Sequence, residues 1–283
     1  MDSLLDDDIV TEMELMVDMS CHRCVDDITE KIKSSSLKKT EITGADIGAQ
    51  RLFLKSGADL AVDIIETINR TTGRNATLSG FGTKGSAVCS VGVAEGWEKG
   101  CGGAGGVGSE GVHGVIRVVE IDTTNTTTTH NNGILFEGRI GGLKPNTKHS
   151  IAIHQYGDLT NGCENVGDIY KPIAKTTTNT EFNGTSIANE DGKVEFRVLN
   201  KEYPDFWSLI GRSIVLHSMK DDGRSLDRRI ACGIICRAAT IGQNPKRICP
   251  CDNQPTEPMT AELKAAQDKQ FQQQQQQQQS PKL

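Results

Sequence analysis

The sequence predicts an α+β ferredoxin-like βαββαβ domain, then an all-β domain, then an irregular C-terminal tail. Three observations carry that prediction. Between residues 11 and 82, short strand-like runs alternate with two amphipathic helical stretches. Between 84 and 240, the apolar runs are short and separated by turn residues, as in a β-sandwich or barrel. Beyond 240 prolines interrupt the chain, which runs into eight consecutive glutamines at 272–279. A length of 283 residues suits two compact domains with tails.

In the first domain, MELMVDM (13–19) reads as a strand and VDDITEKIKSS (25–35) as a helix with Val25, Ile28 and Ile32 on one face. EITGADIG (41–48) and RLFLKS (51–56) supply two more strands. DLAVDIIETINRTTG (59–73) is a second helix, with Leu60, Ile64, Ile65 and Ile68 at helical spacing and Gly73 as its stop. NATLSGF (75–81) completes the βαββαβ order. The glycine-dense 92–111 and the threonine and asparagine run 123–132 are expected to be loops. Six strands are then expected in GVIRVVEID, GILFEGRIGGL, HSIAIHQYG, KVEFRVL, RSIVLHSM and RRIACGIICRA. The divisions are 11–82, 84–240, a CxC segment at 241–254 and a disordered polyglutamine tail at 255–283, which has no apolar surface to offset its ordering entropy.

Composition narrows the function. A net charge of −6 and pI near 5.6 lack the basic excess that nucleic acid requires. MDSLLDDDIV does not read as a signal peptide, and no run reaches the ~20 apolar residues of a membrane span. The expected location is cytoplasmic. In a reducing compartment, paired cysteines more often bind metal or exchange disulfides than staple a fold. Of the nine cysteines, Cys21 and Cys24 form one close pair and Cys249 and Cys251 another; Cys89, Cys101 and Cys236 read as incidental thiols.

Cys21 and Cys24 lie in MSCHRC (19–24), where the first strand ends and the first helix begins. Unpaired N–H groups at a helix start favour thiolate. Two thiolates so spaced can converge on Cu(I), which accepts two or three sulfurs where zinc generally takes four. A lone CxxC also suits structural zinc or a redox motif, although zinc would ordinarily recruit a second pair close by. Met19 before the pair, CxxC on the first loop and the βαββαβ frame together resemble the heavy-metal-associated domains. Met19 is expected in the core, and His22 and Arg23 in solvent.

HSIAIHQYGDLTNGC (149–163), SLIGRSIVLH (208–217) and RRIACGII (228–235) resemble three segments of the copper,zinc superoxide dismutase family, in that family's order. The resemblance implies a Greek-key β-barrel. It also places Ala152, His154, Ile169 and His217 at the four copper positions, two of which are thereby apolar. The zinc ligands are absent, since no histidine lies between His154 and His217. Arg229 matches the family's active-site arginine, but only six residues separate it from Asp222, so the anion-guiding loop is nearly gone. Dismutation is not expected. His154 and His217 are expected to be structural, with a residual weak metal site as the alternative, and His149 to support the loop. Cys163 and Cys232 match the family's intrasubunit disulfide.

ACGIICRAATIGQNPKRICPCD (231–252) resembles the end of the copper chaperones for superoxide dismutase, where a dismutase-like domain runs into CxC. That resemblance implies a metallochaperone, not an enzyme. Cys21 and Cys24 acquire Cu(I); the dismutase-like domain forms a heterodimer with a Cu,Zn superoxide dismutase; Cys249 and Cys251 assist copper transfer and disulfide formation in the target. Zinc is not an expected cofactor, and a homodimer is a further expected assembly. A residual superoxide dismutase and a general thiol-disulfide oxidoreductase are the competing functions.

Overall fold

The computed structural model describes residues 9–37, 39–92, 107–108, 111–121, 133–172, 181–203, 205–220 and 226–244. All lie within the compact unit that ends at Arg247. Cys101, Cys249, Cys251, the threonine run at 123–132 and the polyglutamine tract fall outside the described residues.

The described residues up to Phe81 form β1 (Thr11–Val17), α1 (His22–Ser34), β2 (Thr40–Asp46), β3 (Arg51–Ser56), α2 (Ala61–Thr72) and β4 (Ala76–Phe81). The strands make one sheet in the order β2-β3-β1-β4, antiparallel at each pairing. Alternation along β1 sends Met13, Leu15 and Val17 into the helix-covered core with Ile28, Ile32, Ile64 and Ile68. Each such fully buried aliphatic side chain contributes about 1.5–3 kcal/mol. α1 starts three residues before the expected helix, so Cys24 sits inside its first turn and is buried with Ile28 and Ile32. α2 ends at Gly73, whose φ of 67° is a left-handed cap that glycine adopts without a steric penalty.

The remainder is all β. Its strands are β5 (Ser86–Gly92), β6 (Val107–Gly108), β7 (His113–Ile121), β8 (Gly133–Gly141), β9 (Lys148–His154), β10 (Glu181–Ile187), β11 (Val194–Asn200), β12 (Ser213–Met219), β13 (Leu226–Ile234) and β14 (Cys236–Arg237). Two five-stranded sheets, β10-β9-β12-β13-β6 and β11-β8-β7-β5-β14, enclose a core that includes Ile116, Phe136, Phe196, Ile151, Ile153 and Leu216. β5 and β10 were not among the expected strands. Val107-Gly108, expected within a loop, pairs instead with Ala231 and Cys232.

The outer face of β11-β8-β7 carries the N-terminal half. The register aligns Leu199 with Leu135 and Val119, Arg197 with Glu137 and Arg117, and Glu195 with Arg139. Val119 and Leu135 are fully buried in the core of the N-terminal sheet and helices. Arg197 donates to the carbonyls of Gly57 (3.0 Å) and Ile9 (2.6 Å) and lies 3.5 Å from Glu137, which accepts from the Ala61 N–H at the start of α2. Arg139 pairs with Asp63, Glu66 and Glu195 at the rim. Burial pushes the Glu137 carboxyl up and Arg117 and Arg197 oppose it, so these charges persist inside only as a set.

Candidate metal-binding and docking sites

β1 leads the chain into the CxxC motif. After Val17 the backbone turns through Asp18, held by the Gln50 side chain at 3.3 Å, to Met19 and Ser20. Met19 is 2% exposed and packs in the core, while His22 and Arg23 face solvent. Cys21 is exposed and has extended backbone as the N-cap of α1; Cys24 is buried one turn on. Their sulfurs lie 3.6 Å apart. With metal–sulfur bonds of about 2.3 Å, one ion can bridge two sulfurs up to ~4.6 Å apart, so the pair accommodates a single ion without rearrangement. Backbone hydrogen bonds at Ser20 and Cys21, then the Ser20 hydroxyl at 3.8 Å, pull the Cys24 thiol down to about 7. These hydrogen bonds favour the thiolate form of Cys24. Ser20 had no signal in the sequence beyond its place beside the motif.

In the barrel, His154 ends β9 and His217 lies in β12. Their Nε2 atoms are 3.0 Å apart. His154 Nδ1 lies 2.9 Å from the Gly167 carbonyl, which can only accept, so Nδ1 carries the proton and Nε2 is bare. His217 therefore donates from Nε2, which leaves its buried Nδ1 without a partner. Burial holds both rings below the ordinary imidazole range, His217 at about 4 with His154 and Arg229 adding to the effect. Both are neutral at pH 7 and share one proton. Ala152 is fully buried in β9, and Ile169 bridges to His154, so apolar side chains occupy the two matched positions. His149 bonds Thr147 Oγ1 at 2.7 Å. Among the described residues, no group of three or more His, Cys, Asp or Glu could hold a metal ion.

Cys163 and Cys232 are joined in a disulfide with Cα atoms 5.8 Å apart. Arg229 donates to the carbonyls of Cys163 (2.8 Å), Glu164 (3.0 Å) and Gly167 (2.7 Å). One guanidinium thus holds the disulfide loop and the carbonyl that fixes the His154 tautomer. Beside this loop Tyr156 and Trp207 are exposed, at 58% and 53%. Arg212 links the segments that carry them, donating to Ser208 O and Gln155 O and stacking 3.5 Å over the Tyr170 ring. Arg237 lies over Trp207. Cys89 is fully buried in the barrel core and Cys236 is half-buried in β14.

A two-sheet barrel joined to a domain that presents two close thiols is the arrangement of a metal-handling protein. Residues 112–235 match the copper/zinc superoxide dismutase family, whose fold is an all-β Greek-key barrel. Over 261 residues, 86% of each chain, the sequence is 30% identical to the copper chaperone for superoxide dismutase of Mus musculus. It is 29% identical to that of Homo sapiens over 258 residues, 85% of each chain. It is 32% identical to the chloroplastic one of Oryza sativa subsp. japonica over 241 residues, 84% of this chain and 68% of the relative. The chain belongs to the family of copper chaperones for superoxide dismutase.

Proposed function

We propose that the chain is a copper metallochaperone that takes Cu(I) on Cys21 and Cys24 and delivers it to a Cu,Zn superoxide dismutase, assisting disulfide formation in that target. The observation that carries this is the pair of sulfurs 3.6 Å apart at the start of α1, with Cys24 drawn down to about 7. A two-sulfur site with one exposed member lets ligands exchange one at a time, so the ion moves without being freed. The N-terminal domain, ferredoxin-like in its strand order, presents this site. The barrel docks: Trp207 and Tyr156 are exposed aromatic anchors of the kind that dominate interfaces, ringed by Arg212 and Arg237. The expected assembly is a heterodimer with the dismutase through this face, and a homodimer when the target is absent. Cys249 and Cys251 take part in transfer, zinc is not required, and the reducing cytoplasm, which keeps such thiol pairs free, is the expected location. Alanine at 152 and isoleucine at 169 weigh against dismutation by the chain itself.

The test uses the full chain, loaded with Cu(I) and mixed with reduced, metal-free dismutase. The wild type is expected to hold about one Cu(I) at Cys21 and Cys24 and to restore both activity and disulfide in the target. Cys21→Ser with Cys24→Ser is expected to abolish loading at that site and activation. Activation at the wild-type rate by the double variant would overturn the assignment.

A further inference from the structure

The loop that carries Cys21 and Cys24 departs from the end of β1, and one unusual residue holds that end from the β3 side. Gln50, in the turn between β2 and β3, has a φ of 56° and is one of two non-glycine residues with positive φ among the described residues. A long side chain is disfavoured in this left-handed region and persists there where its surroundings over-determine it. From this conformation the Gln50 carbonyl accepts from the Val17 N–H at 2.9 Å, and its side-chain amide donates to Asp18 Oδ1 at 3.3 Å. Val17 and Asp18 are the two residues before Met19, so both bonds act on the strand end that leads to Cys21.

The turn is anchored on both sides. On the β2 side, Asp46 Oδ1 accepts from the Ala49 N–H at 2.9 Å, and the Gln50 N–H donates to Ile47 O at 3.2 Å. On the β3 side stands Arg51, which pairs with Met16 in the sheet and donates to Glu14 and, at 2.6 Å, to Asn244 O. Glu14 is fully buried and also accepts from the Gly242 N–H at 2.7 Å and from Ser79 Oγ at 3.0 Å. Residues 239–244 run along β4, where the Phe81 N–H donates to Ala239 O and the Ile241 N–H to Gly82 O. A Cβ on Gly80 would stand 2.6 Å from the Thr240 carbonyl, so glycine permits the close approach. A carboxylate with three donors, and a guanidinium shared between it and a carbonyl, fix Arg51 more firmly than packing alone. The residue next to the strained glutamine is thereby immobilised.

A turn that only reversed the chain would be served best by glycine or asparagine at the left-handed position. Glutamine keeps a long amide there against that preference, and the bond to Asp18 is what the amide makes. We propose that Gln50 is a positioning residue for the thiol pair: braced by Arg51 in the network of Glu14, Gly242 and Asn244, it fixes the strand end that presents Cys21 and Cys24 and keeps their sulfurs within bridging distance of one ion. The proposal rests on the copper reading of that pair.

The first test uses the full chain, reduced and without metal, and follows amide hydrogen exchange by NMR. The Cys24 N–H, bonded to Cys21 O at 3.0 Å, reports the thiol loop, and the amides of β7 report the barrel. Gln50→Gly removes the side-chain bond but suits the positive φ, so the chain is expected to fold with its melting transition in place. Exchange at Cys24 is expected to rise about fivefold, the weight of one lost hydrogen bond, with β7 unchanged. Arg51→Met is expected to act in the same direction. After loading with Cu(I), Gln50→Gly is expected to surrender the ion to bathocuproine disulfonate faster by a similar factor. Wild-type exchange at Cys24 in either folded variant, equal acceleration throughout β7, or unchanged Cu(I) release overturns the proposal. If Arg51→Met does not fold, Gln50→Gly decides alone. A chain whose Cys24 exchange responds as expected but which takes up no Cu(I) at Cys21 and Cys24 would defeat the delivery reading and leave the positioning of the thiols standing.

Discussion

Cys24 and Cys89 show how differently two thiols of one chain can be poised. Cys89, fully buried among apolar side chains, is pushed well above the ordinary thiol range by desolvation, whereas Cys24, closer to the surface, is pulled down to about 7 by hydrogen bonds at Ser20 and Cys21. In the reduced, metal-free chain, alkylation of Cys24 is expected to rise with pH through a midpoint near 7, and Ser20→Ala to move that midpoint upward; peptide mapping after timed iodoacetamide pulses reads both. The barrel histidines give a second pH signature. His217 is held at about 4 when folded against about 6.5 when unfolded, so the unfolded chain binds the extra proton between those values. The resulting stability is present in full above pH 6.5 and is lost as pH falls towards 4, by about 3 kcal/mol. Urea titrations from pH 7 to 4 check this, and His217→Gln is expected to flatten the slope. The residue types at 154, 169 and 217 were legible from the sequence. The shared proton was not, because it depends on the Gly167 carbonyl, thirteen residues from His154 and held by Arg229.

Elements were legible where pattern and length agreed. α2 followed from Ile64 and Ile68 and from its glycine stop, and β7 from the alternation of Ile116 and Val118 with Arg117 and Val119. β5 escaped notice because SAVCSVG is built of small residues whose burial comes from neighbouring strands rather than from their own hydrophobicity. β10 escaped because EFNGTSI continues a threonine-rich stretch and pairs only with β9 at the sheet edge. The loop before β10 is anchored by the Cys163–Cys232 disulfide, which links residues 69 positions apart. Constraining a loop of that length is worth about 4 kcal/mol in the unfolded state. Cys163→Ser with Cys232→Ser is expected to lower unfolding free energy by that order in denaturant titration, with the copper-loading stoichiometry at Cys21 and Cys24 unchanged.

At the scale of the molecule, the division near residue 82 read from composition describes the chain's order but not its energetics. Val119 and Leu135 complete the core of the first half, and Arg197 and Glu137 bond its backbone across the boundary. Nothing in a linear pattern marks an arginine in a strand as buried; Arg197 pairs with Glu137, sixty residues away, and with carbonyls of Gly57 and Ile9 more than a hundred residues away in sequence. The described unit is expected to melt in one calorimetric transition, and two separated transitions would contradict a shared core. Glu137→Leu leaves the buried Arg197 without its carboxylate and is expected to cost about 3–5 kcal/mol, the range for breaking a buried charge pair.

The seam at Val119, Leu135, Glu137 and Arg197 also limits how freely such a protein can be rebuilt by recombination. A foreign copper-binding head spliced in place of residues 11–82 would arrive without a cavity for the two apolar side chains and without carbonyls aimed at the guanidinium. Heads and barrels must therefore diverge together, and a functional chimaera will need matched changes on both sides of the junction.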